Sequence, residues 1–460
     1  MPEGVFGRSD AEIDQLVRGK QSGIAVVGFG YIGTVIGAVL AERGWPVTGI
    51  DVRQHIVDEI NLGTTSVREP GLDELVANNV QAGRLRATTD FGAVADNDFV
   101  IVTVGTPLGP DFEPIVDDIE AAARAVGEQL HAGHLVTLKS TVPPDTTEKL
   151  VLPILEEISG LRAGVDFGLA FCPERLAEGR AIRDLTSVPV VVGAVEERSA
   201  RACSTLWRHT LGVDSVVVDD PRTAEMIKLA DNWWIDLNIA LANELAKVCD
   251  RLGMDVLQVI EAANTLPKVN HNVNILMPSM GVGGYCLTKD PWFVNHLGQS
   301  LGLELATPRT SRTVNDTMPA YTYELVKQLL ADQGKALETS KVAVLGIAFK
   351  NNTGDCRLTP TKYTVELLEH AGCDLSVHDP WVTDEEALTV TKIPLTADIE
   401  SAVKDADALV FLTGHRQFRQ IPVVQLAELA TDKCVFLDGR NSFDPAEVRA
   451  AGLLYKGIGR

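Results

Sequence analysis

A thiol, an amine and a carboxylate stand within five positions, at Cys286, Lys289 and Asp290, inside the run Gly281-Val282-Gly283-Gly284-Tyr285-Cys286-Leu287-Thr288-Lys289-Asp290-Pro291. Together they offer a nucleophile with its helpers. Glycines 281, 283 and 284 carry no Cβ and let backbone approach a ligand. Asp290-Pro291 ahead of Trp292-Phe293-Val294 predicts an N-cap followed by proline at the first helical position. Cys286 is then expected just upstream of a helix N-terminus, where the dipole and Lys289 both favour thiolate. A buried structural cysteine beside a capped helix is the plainer alternative for a lone thiol. The case therefore rests on what else the chain carries.

Lys228 and Asn232 lie four apart in a helical pattern, so both side chains project from one face, one turn apart. A lysine and an amide in that relation can hold an oxyanion, or simply face solvent. Glu174 follows the strand-like run ending at Phe171, in Cys172-Pro173-Glu174-Arg175, and a salt bridge to Arg175 or Arg180 is its structural alternative.

A second group of residues addresses a cofactor. Directly after Ile24 to Val27 comes Gly28-Phe29-Gly30-Tyr31-Ile32-Gly33, followed by the helical apolar pattern of Val35, Ile36, Val39 and Leu40. In that context the first glycine makes the turn, the second admits a pyrophosphate and the third lets helix and strand pack closely. Asp51 ends the next strand, roughly 20 residues on, where a carboxylate bonds ribose hydroxyls. An acid there repels a 2′-phosphate, which favours NAD over NADP, although Arg53 offers such a phosphate a partner. Later strands end in Thr103-Val104-Gly105-Thr106-Pro107 and Lys139-Ser140-Thr141-Val142-Pro143-Pro144. Ligands bind at strand carboxyl ends in open α/β sheets, so these loops are expected to flank the nicotinamide, with turn chemistry as the alternative.

The elements that must position these groups follow from hydrophobic period. Ile24 to Val27, Val47 to Ile50, Phe99 to Val104, Leu135 to Leu138, Phe167 to Phe171 and Val190 to Val192 alternate with amphipathic stretches, the mark of a parallel sheet with crossover helices. From Thr223 to Gly253, residues Ile227, Trp234, Leu237, Leu241, Leu245, Val248 and Leu252 recur as one face of a long helix that Gly253 stops. After a helical stretch at Ala320 to Ala331, Lys341 to Phe349 opens a second strand and helix series through Asp374 to His378 and Ala408 to Leu412. The expected fold class is α/β: two Rossmann-like doubly wound domains joined by a central helical domain with one long helix. At 460 residues the chain is too long for one core.

Composition narrows the partners. A net charge of -22 and a pI near 4.8 argue against nucleic acid and anionic membranes, so a phosphate ligand must be held locally. Seven cysteines (172, 203, 249, 286, 356, 373 and 434) are scattered and free of CxxC pairs, which speaks for a reducing compartment and implies no metal. Met1 to Lys20 is polar and acidic, with no apolar core of a leader, and nowhere do eighteen apolar residues run together. A soluble cytoplasmic protein is expected.

The chain resembles the UDP-glucose/GDP-mannose dehydrogenase family of nucleotide-sugar 6-dehydrogenases. The motifs that carry the resemblance are GFGYIG (28 to 33), TVGTP (103 to 107), KSTVPP (139 to 144), CPERLAEGRAI (172 to 182), AEMIKLADN (224 to 232), GVGGYCLTKDP (281 to 291), GIAFKNNTGDCR (346 to 357) and DGRN (438 to 441). The resemblance implies an NAD-binding N-terminal domain (1 to 220), a central helical domain forming a homodimer (221 to 318), and a C-terminal domain gripping the nucleotide-sugar (319 to 460). It further implies oxidation of a sugar C6 alcohol to a carboxylate with two NAD per turnover, as in uronic acid and polysaccharide biosynthesis. Cys286 would carry the thiohemiacetal and thioester, Asp290 would hold a water that takes the hydroxyl proton, and Lys228 and Asn232 would stabilise the oxygen. Glu174 and Thr141 would assist, Glu174 in thioester hydrolysis. Arg175 and Leu176 would line the sugar with Glu174. Glycines 281, 283 and 284 would cradle the diphosphate, with Lys350 and Arg440 as fixed cations. Gly28, Gly30, Tyr31, Ile32, Gly33, Asp51, Thr106, Thr141 and Arg357 would meet NAD.

Some positions depart from the family pattern. Tyr285 precedes the nucleophile where Ser or His is usual, and Asn270-His271-Asn272 replaces an arginine that reaches the partner subunit's substrate, with Lys268 nearby. NVNILMPSMGVGGYC with DPWF is similar to the branch acting on UDP-N-acetylhexosamines, Leu176-Ala177-Glu178-Gly179 leans toward the glucose branch, and a thymidine diphosphate sugar stays open. Two rivals differ in class: a two-electron β-hydroxyacid-type dehydrogenase, which needs neither Cys286 nor residues 341 to 460, and a non-catalytic NAD and nucleotide-sugar sensor.

Overall fold

Short runs of valine, isoleucine and leucine build two separate sheets in the computed structural model, which describes residues 5–20 and 22–460. The chain divides into one unit ending at Asp231 and another from Asn232 to Arg460.

In the first unit, strands β1 (Ile24–Val27), β2 (Val47–Ile50), β3 (Leu85–Thr88), β4 (Phe99–Val102), β5 (Leu135–Leu138), β6 (Gly168–Phe171), β7 (Val190–Ala194) and β8 (Ser215–Val218) lie in the order 3-2-1-4-5-6-7-8. All neighbours are parallel except β6 and β7. Ile24 pairs with Val47 on one side and Phe99 on the other, so β1 sits where the strand order reverses. Side chains of β1 alternate between two cores: Ile24 and Val26 face one with Phe29, Ile36 and Trp45, while Ala25 and Val27 face the other with Val100 and Ile119. Burial on both faces is why these strands read as continuous apolar runs.

The N-terminal stretch read as a plain polar segment is structured. Its first four residues lie outside the described ones, but Val5, Phe6, Ile13, Leu16 and Val17 are buried in the first unit, the last three on helix α1 (Asp10–Gly19). Ser9 and Glu12 form a capping box at its start, a signal that was present in the sequence. Crossover helix α2 (Tyr31–Glu42) follows β1, and a short helix α3 (Ala181–Leu185) follows the loop after β6.

Helix α4 (Pro221–Leu252) begins in the first unit and runs on into the second, and Gly253 ends it with φ 67°. Its expected apolar face is the open one. Trp234, Leu241, Val248 and Leu252 are exposed, whereas Asn232, Asp236, Ala242, Asn243, Ala246 and Cys249 are buried. Small and polar residues face inward because neighbouring helices approach closely there, through Met318 of α6 (Ala306–Asp332) and a network of amides.

The second sheet, β9 (Lys341–Leu345), β10 (Asp374–His378), β11 (Ala408–Phe411), β12 (Val435–Asp438) and β13 (Leu454–Gly457), is fully parallel in the order 10-9-11-12-13. It too separates two cores, one with Val326, Val342 and Val410, the other with Phe411, Phe418 and Phe436.

Helix α5 (Tyr285–Ser300) corrects one expectation. It starts at Tyr285 with Gly284 as its cap (φ 82°) and continues through Pro291, so Asp290 is no N-cap and Cys286 lies in the first turn rather than upstream of it. A proline inside a helix costs about 3 kcal/mol and removes one backbone donor. The carbonyl thus deprived, that of Leu287, accepts instead from Arg312 Nη1 at 3.2 Å.

Candidate active site

The dinucleotide fingerprint sits at the sheet's switch point, where ligands of open α/β sheets bind. Gly28 turns the chain at φ 87°, and Gly33 packs so tightly that a Cβ would meet the Gly28 carbonyl at 2.1 Å. Gly30 caps α2 with no side-chain partner, and a Cβ there would meet only Arg53 Nη2 at 3.7 Å. That open cradle over the helix N-terminus fits a dinucleotide pyrophosphate. Ile32 packs against the core below it.

Asp51 is buried and accepts from the Phe29 N–H at 2.8 Å, inside the fingerprint, and from Arg53 N, Nε and Nη2 at 3.0, 2.9 and 2.9 Å. Burial raises its carboxyl, but the Arg53 bonds and the Phe29 N–H outweigh this and hold it below its ordinary value. Arg53, weighed above as a partner for a 2′-phosphate, is occupied by Asp51.

Hydroxyls lash the strand-end loops together. Thr103 Oγ1 donates to the Gly28 carbonyl at 2.6 Å, Thr106 Oγ1 to the Thr141 carbonyl at 2.6 Å, and Ser140 Oγ to Val104 O at 2.7 Å. Thr106 and Thr141, both expected near the cofactor, therefore form one platform beside β1.

On the same unit the structure brings Glu174 and Lys228 together: the carboxylate and the ammonium are 3.7 Å apart, and both are buried. Arg175 donates to Asp231 at 3.0 Å, Arg180 lies 3.6 Å from Asp184, and Glu174 accepts from the Leu176 N–H.

In the second unit Cys286 is exposed in the first turn of α5. One turn later Asp290 is fully buried, accepting from Asn232 Nδ2 on α4 at one oxygen and from Lys289 Nζ at the other. Lys289 also lies 4.1 Å over the Phe293 ring, so the ammonium expected to favour thiolate serves Asp290. Arg357 pairs with Asp355, and its guanidinium stands 5.2 Å from the Tyr285 ring centroid.

Glycines 283 and 284 are demanded by the chain itself: a Cβ would strike Phe349 at 2.6 Å and 2.8 Å. Arg440 locks this loop to the second sheet. It donates to Leu412 O at 2.9 Å, Phe349 O at 3.0 Å and Gly281 O at 3.5 Å, and burial lowers its guanidinium to about 10. Lys350 is half-buried in the following turn, where its carbonyl accepts from Thr353 Oγ1 at 3.0 Å.

Two buried carboxylates went unremarked in the sequence. Glu69 accepts from Tyr31 Oη at 2.5 Å and from Gly179 N and Ala181 N at 2.7 Å each, joining the fingerprint helix to the loop after Glu174 and capping α3. Glu225, one turn before Lys228, accepts from Asp145 N, Thr147 N and Thr147 Oγ1 at 2.7, 2.8 and 2.6 Å. Glu69-Pro70-Gly71 before an apolar helix was the available signal for the first. Nothing local marked the second. Among the described residues no group of three or more His, Cys, Asp or Glu is arranged to hold a metal ion, and no helix is long and apolar enough to cross a membrane.

Comparison with known proteins completes this picture. Residues 22–211 match the UDP-glucose/GDP-mannose dehydrogenase family NAD binding domain, 222–317 its central domain and 343–445 its UDP binding domain. A UDP-N-acetyl-D-mannosamine dehydrogenase of Pyrococcus horikoshii is 34% identical over 438 residues, covering 95% of this chain and 99% of that protein. An NDP-N-acetyl-D-galactosaminuronic acid dehydrogenase of Ralstonia nicotianae is 36% identical over 415 residues, covering 88% and 93%. The solved structure of a UDP-D-ManNAc dehydrogenase from Pyrococcus horikoshii superimposes with a TM-score of 0.85 at 34% identity, over 95% of this chain and 99% of that one. With the fingerprint cradle, the buried Glu174–Lys228 pair and the cysteine-bearing helix all in place, the chain belongs to the UDP-glucose/GDP-mannose dehydrogenase family, the NAD-using dehydrogenases of nucleotide-sugars.

Proposed function

We propose that this dehydrogenase oxidises the C6 alcohol of a UDP-N-acetylhexosamine to the carboxylate in two successive hydride transfers, with Cys286 carrying the half-oxidised sugar between them. The observation that carries the reading is an exposed thiol in the first turn of a glycine-capped helix whose next turn holds the buried Asp290–Asn232 pair. NAD, when bound, supplies the hydride acceptor for each oxidation.

In the first step the C6 hydroxyl proton passes to a water ordered by Asp290, and the lysine Lys228 with the amide of Asn232, one turn apart on α4, stabilises the oxygen while hydride leaves carbon. Cys286 Sγ then adds to the aldehyde carbon, the carbonyl oxygen takes a proton, and a thiohemiacetal forms. Loss of the second hydride and of the hydroxyl proton leaves a thioester. Glu174 activates a water that breaks the C–S bond, returning the thiol and releasing the carboxylate. Lys228 Nζ lies 3.7 Å from the carboxylate of Glu174.

The N-acetylhexosamine assignment is supported by the names of the similar proteins and by NVNILMPSMGVGGYC with DPWF in this chain. Leu176-Ala177-Glu178-Gly179 favours UDP-glucose as the second reading. We also propose three domains, 1 to 220, 221 to 318 and 319 to 460, and a cytoplasmic homodimer. The seven cysteines, none of them in a disulfide, suit a reducing compartment, and the exposed stripe Trp234, Leu241 and Val248, spaced by seven on α4, suits a partner helix.

The deciding experiment follows NADH and product for UDP-N-acetylmannosamine, UDP-N-acetylglucosamine, UDP-glucose, dTDP-glucose and GDP-mannose. About two NADH per sugar with an N-acetylated uronate as product is expected from this chemistry. A ratio of about one would return the two-electron dehydrogenase to favour, and preference for UDP-glucose would overturn the substrate assignment.

A further inference from the structure

Pro291 is the seventh residue of α5 and has no N–H, so the carbonyl four residues back loses its helical donor. That carbonyl belongs to Leu287, the residue directly after Cys286. Its replacement donor is Arg312 on α6, a guanidinium only 1% exposed. The same nitrogen, Nη1, donates to Asp236 Oδ1 at 2.6 Å, and Nη2 pairs with Asp316. Asp236 is fully buried on α4, one turn after Asn232, the residue that bonds Asp290. Asn315 donates to Asp236 Oδ1 at 2.7 Å and to its carbonyl at 3.0 Å, and Asn243 donates to Asn315 Oδ1 at 2.9 Å. Asn243 Oδ1 in turn accepts from Ser279 N at 2.8 Å, two residues before the glycine loop. A single buried polar chain thus connects α4, α6, the first turn of α5 and the loop that enters it.

Stability alone is a poor account of this arrangement. A buried ion pair is often replaceable by apolar packing without loss, because desolvation offsets the attraction. Here the pair is also incompletely satisfied: Asp236 Oδ2 and Arg312 Nε are buried with no hydrogen-bond partner. What the pair does supply is one hydrogen bond that α5 cannot make for itself, beside the thiol.

We propose that Arg312, held by Asp236, is a positioning residue that supplies the donor Pro291 withholds and so fixes the first turn of α5 and the aim of Cys286. The inference rests on the reading of Cys286 as nucleophile. Neither Arg312 nor Asp236 touches the reacting atoms in it.

The test compares Arg312→Lys with Arg312→Lys/Pro291→Ala. Lysine keeps a charge for Asp236 but lacks the planar fork that also reaches Leu287, whereas alanine at 291 restores the helix's own donor to that carbonyl. Alkylation of Cys286 by iodoacetamide, read by peptide mass spectrometry, is expected to slow about fivefold or more in Arg312→Lys, with kcat down about tenfold and KM for NAD within about twofold. The double variant should recover alkylation to within about threefold of native, a rescue that a role in core packing alone would not show. Native alkylation in Arg312→Lys, or no rescue in the double variant, overturns the proposal. If Arg312→Lys does not fold, the double variant decides by itself: soluble and reactive supports the proposal, insoluble or unreactive overturns it. Because alkylation needs no turnover, this outcome is separate from the NADH stoichiometry that tests the proposed reaction.

Discussion

Cys286 and Asp290 are four residues apart on one helix yet live in opposite surroundings, the thiol exposed and the carboxylate fully buried. Helical periodicity allows both. The partner that turns Asp290 inward is Asn232, 58 residues away in sequence. Lys228 and Asn232 were legible as neighbours on a helix face, but what each would meet was not, since Glu174 and Asp290 are reached only through folding. At this scale the prediction concerns the thiol. Cys286→Ser is expected to cut carboxylate formation by about 1000-fold or more, because serine has neither the acidity nor the nucleophilicity to hold the aldehyde. NADH binding, followed by fluorescence titration, should stay within about twofold of native. Unchanged acid output would remove the cysteine from the reaction.

Among the elements, α4 was recognised by its period but its inward face was not. Apolar residues recur along Trp234, Leu241 and Val248, so a burial rule points that face to the core, whereas alanines and amides face it instead. The start of α5 was misplaced for a related reason. Asp-Pro is a strong start signal locally, and it was overridden by a tertiary donor, Arg312, that made an internal proline tolerable. Edge strands β3 and β8 and the last strand of the second sheet, β13, give no clear apolar run, being short and partly polar or exposed. Glu225 in the first turns of α4 provides a test of this element's anchoring. Burial pushes its carboxyl from 4.5 up to about 7, the bonds from Thr147 and Asp145 offsetting only part of that rise. A raised folded value means the contribution is complete below about pH 4.5 and is lost as pH rises through about 7. It is worth about 3 kcal/mol at most. Thermal unfolding at pH 5, 6, 7 and 8 should show native stability falling across that window relative to Glu225→Gln. Parallel curves would refute the assignment.

For the whole molecule, the exposed stripe on α4 is the consequence of a core built from small and polar residues on the opposite side. Trp234, Leu241 and Val248 are 49%, 47% and 55% exposed, an apolar stripe on a chain with a net charge of -22. Leu241→Asp/Val248→Asp is expected to convert a dimer into monomer in analytical ultracentrifugation at micromolar concentration, with little change in the far-ultraviolet circular dichroism. A native chain that sediments as a monomer would exclude the dimer outright.

Local chemistry was enough to read from the sequence the central strands of the two sheets, the glycine turn after β1, the acid at Asp51 and the helix stop at Gly253, because each depends on residues close in the chain and on backbone period. Family motifs extended that reading to Cys286, Asp290, Lys228 and Asn232 as the residues proposed for the chemistry. Only the tertiary structure decided which face of α4 is buried, where α5 begins, and which partners hold Asp290, Glu174 and the Leu287 carbonyl. Those outcomes depend on donors and acceptors tens of residues apart, and a buried polar group takes whichever partner the packed elements bring within reach.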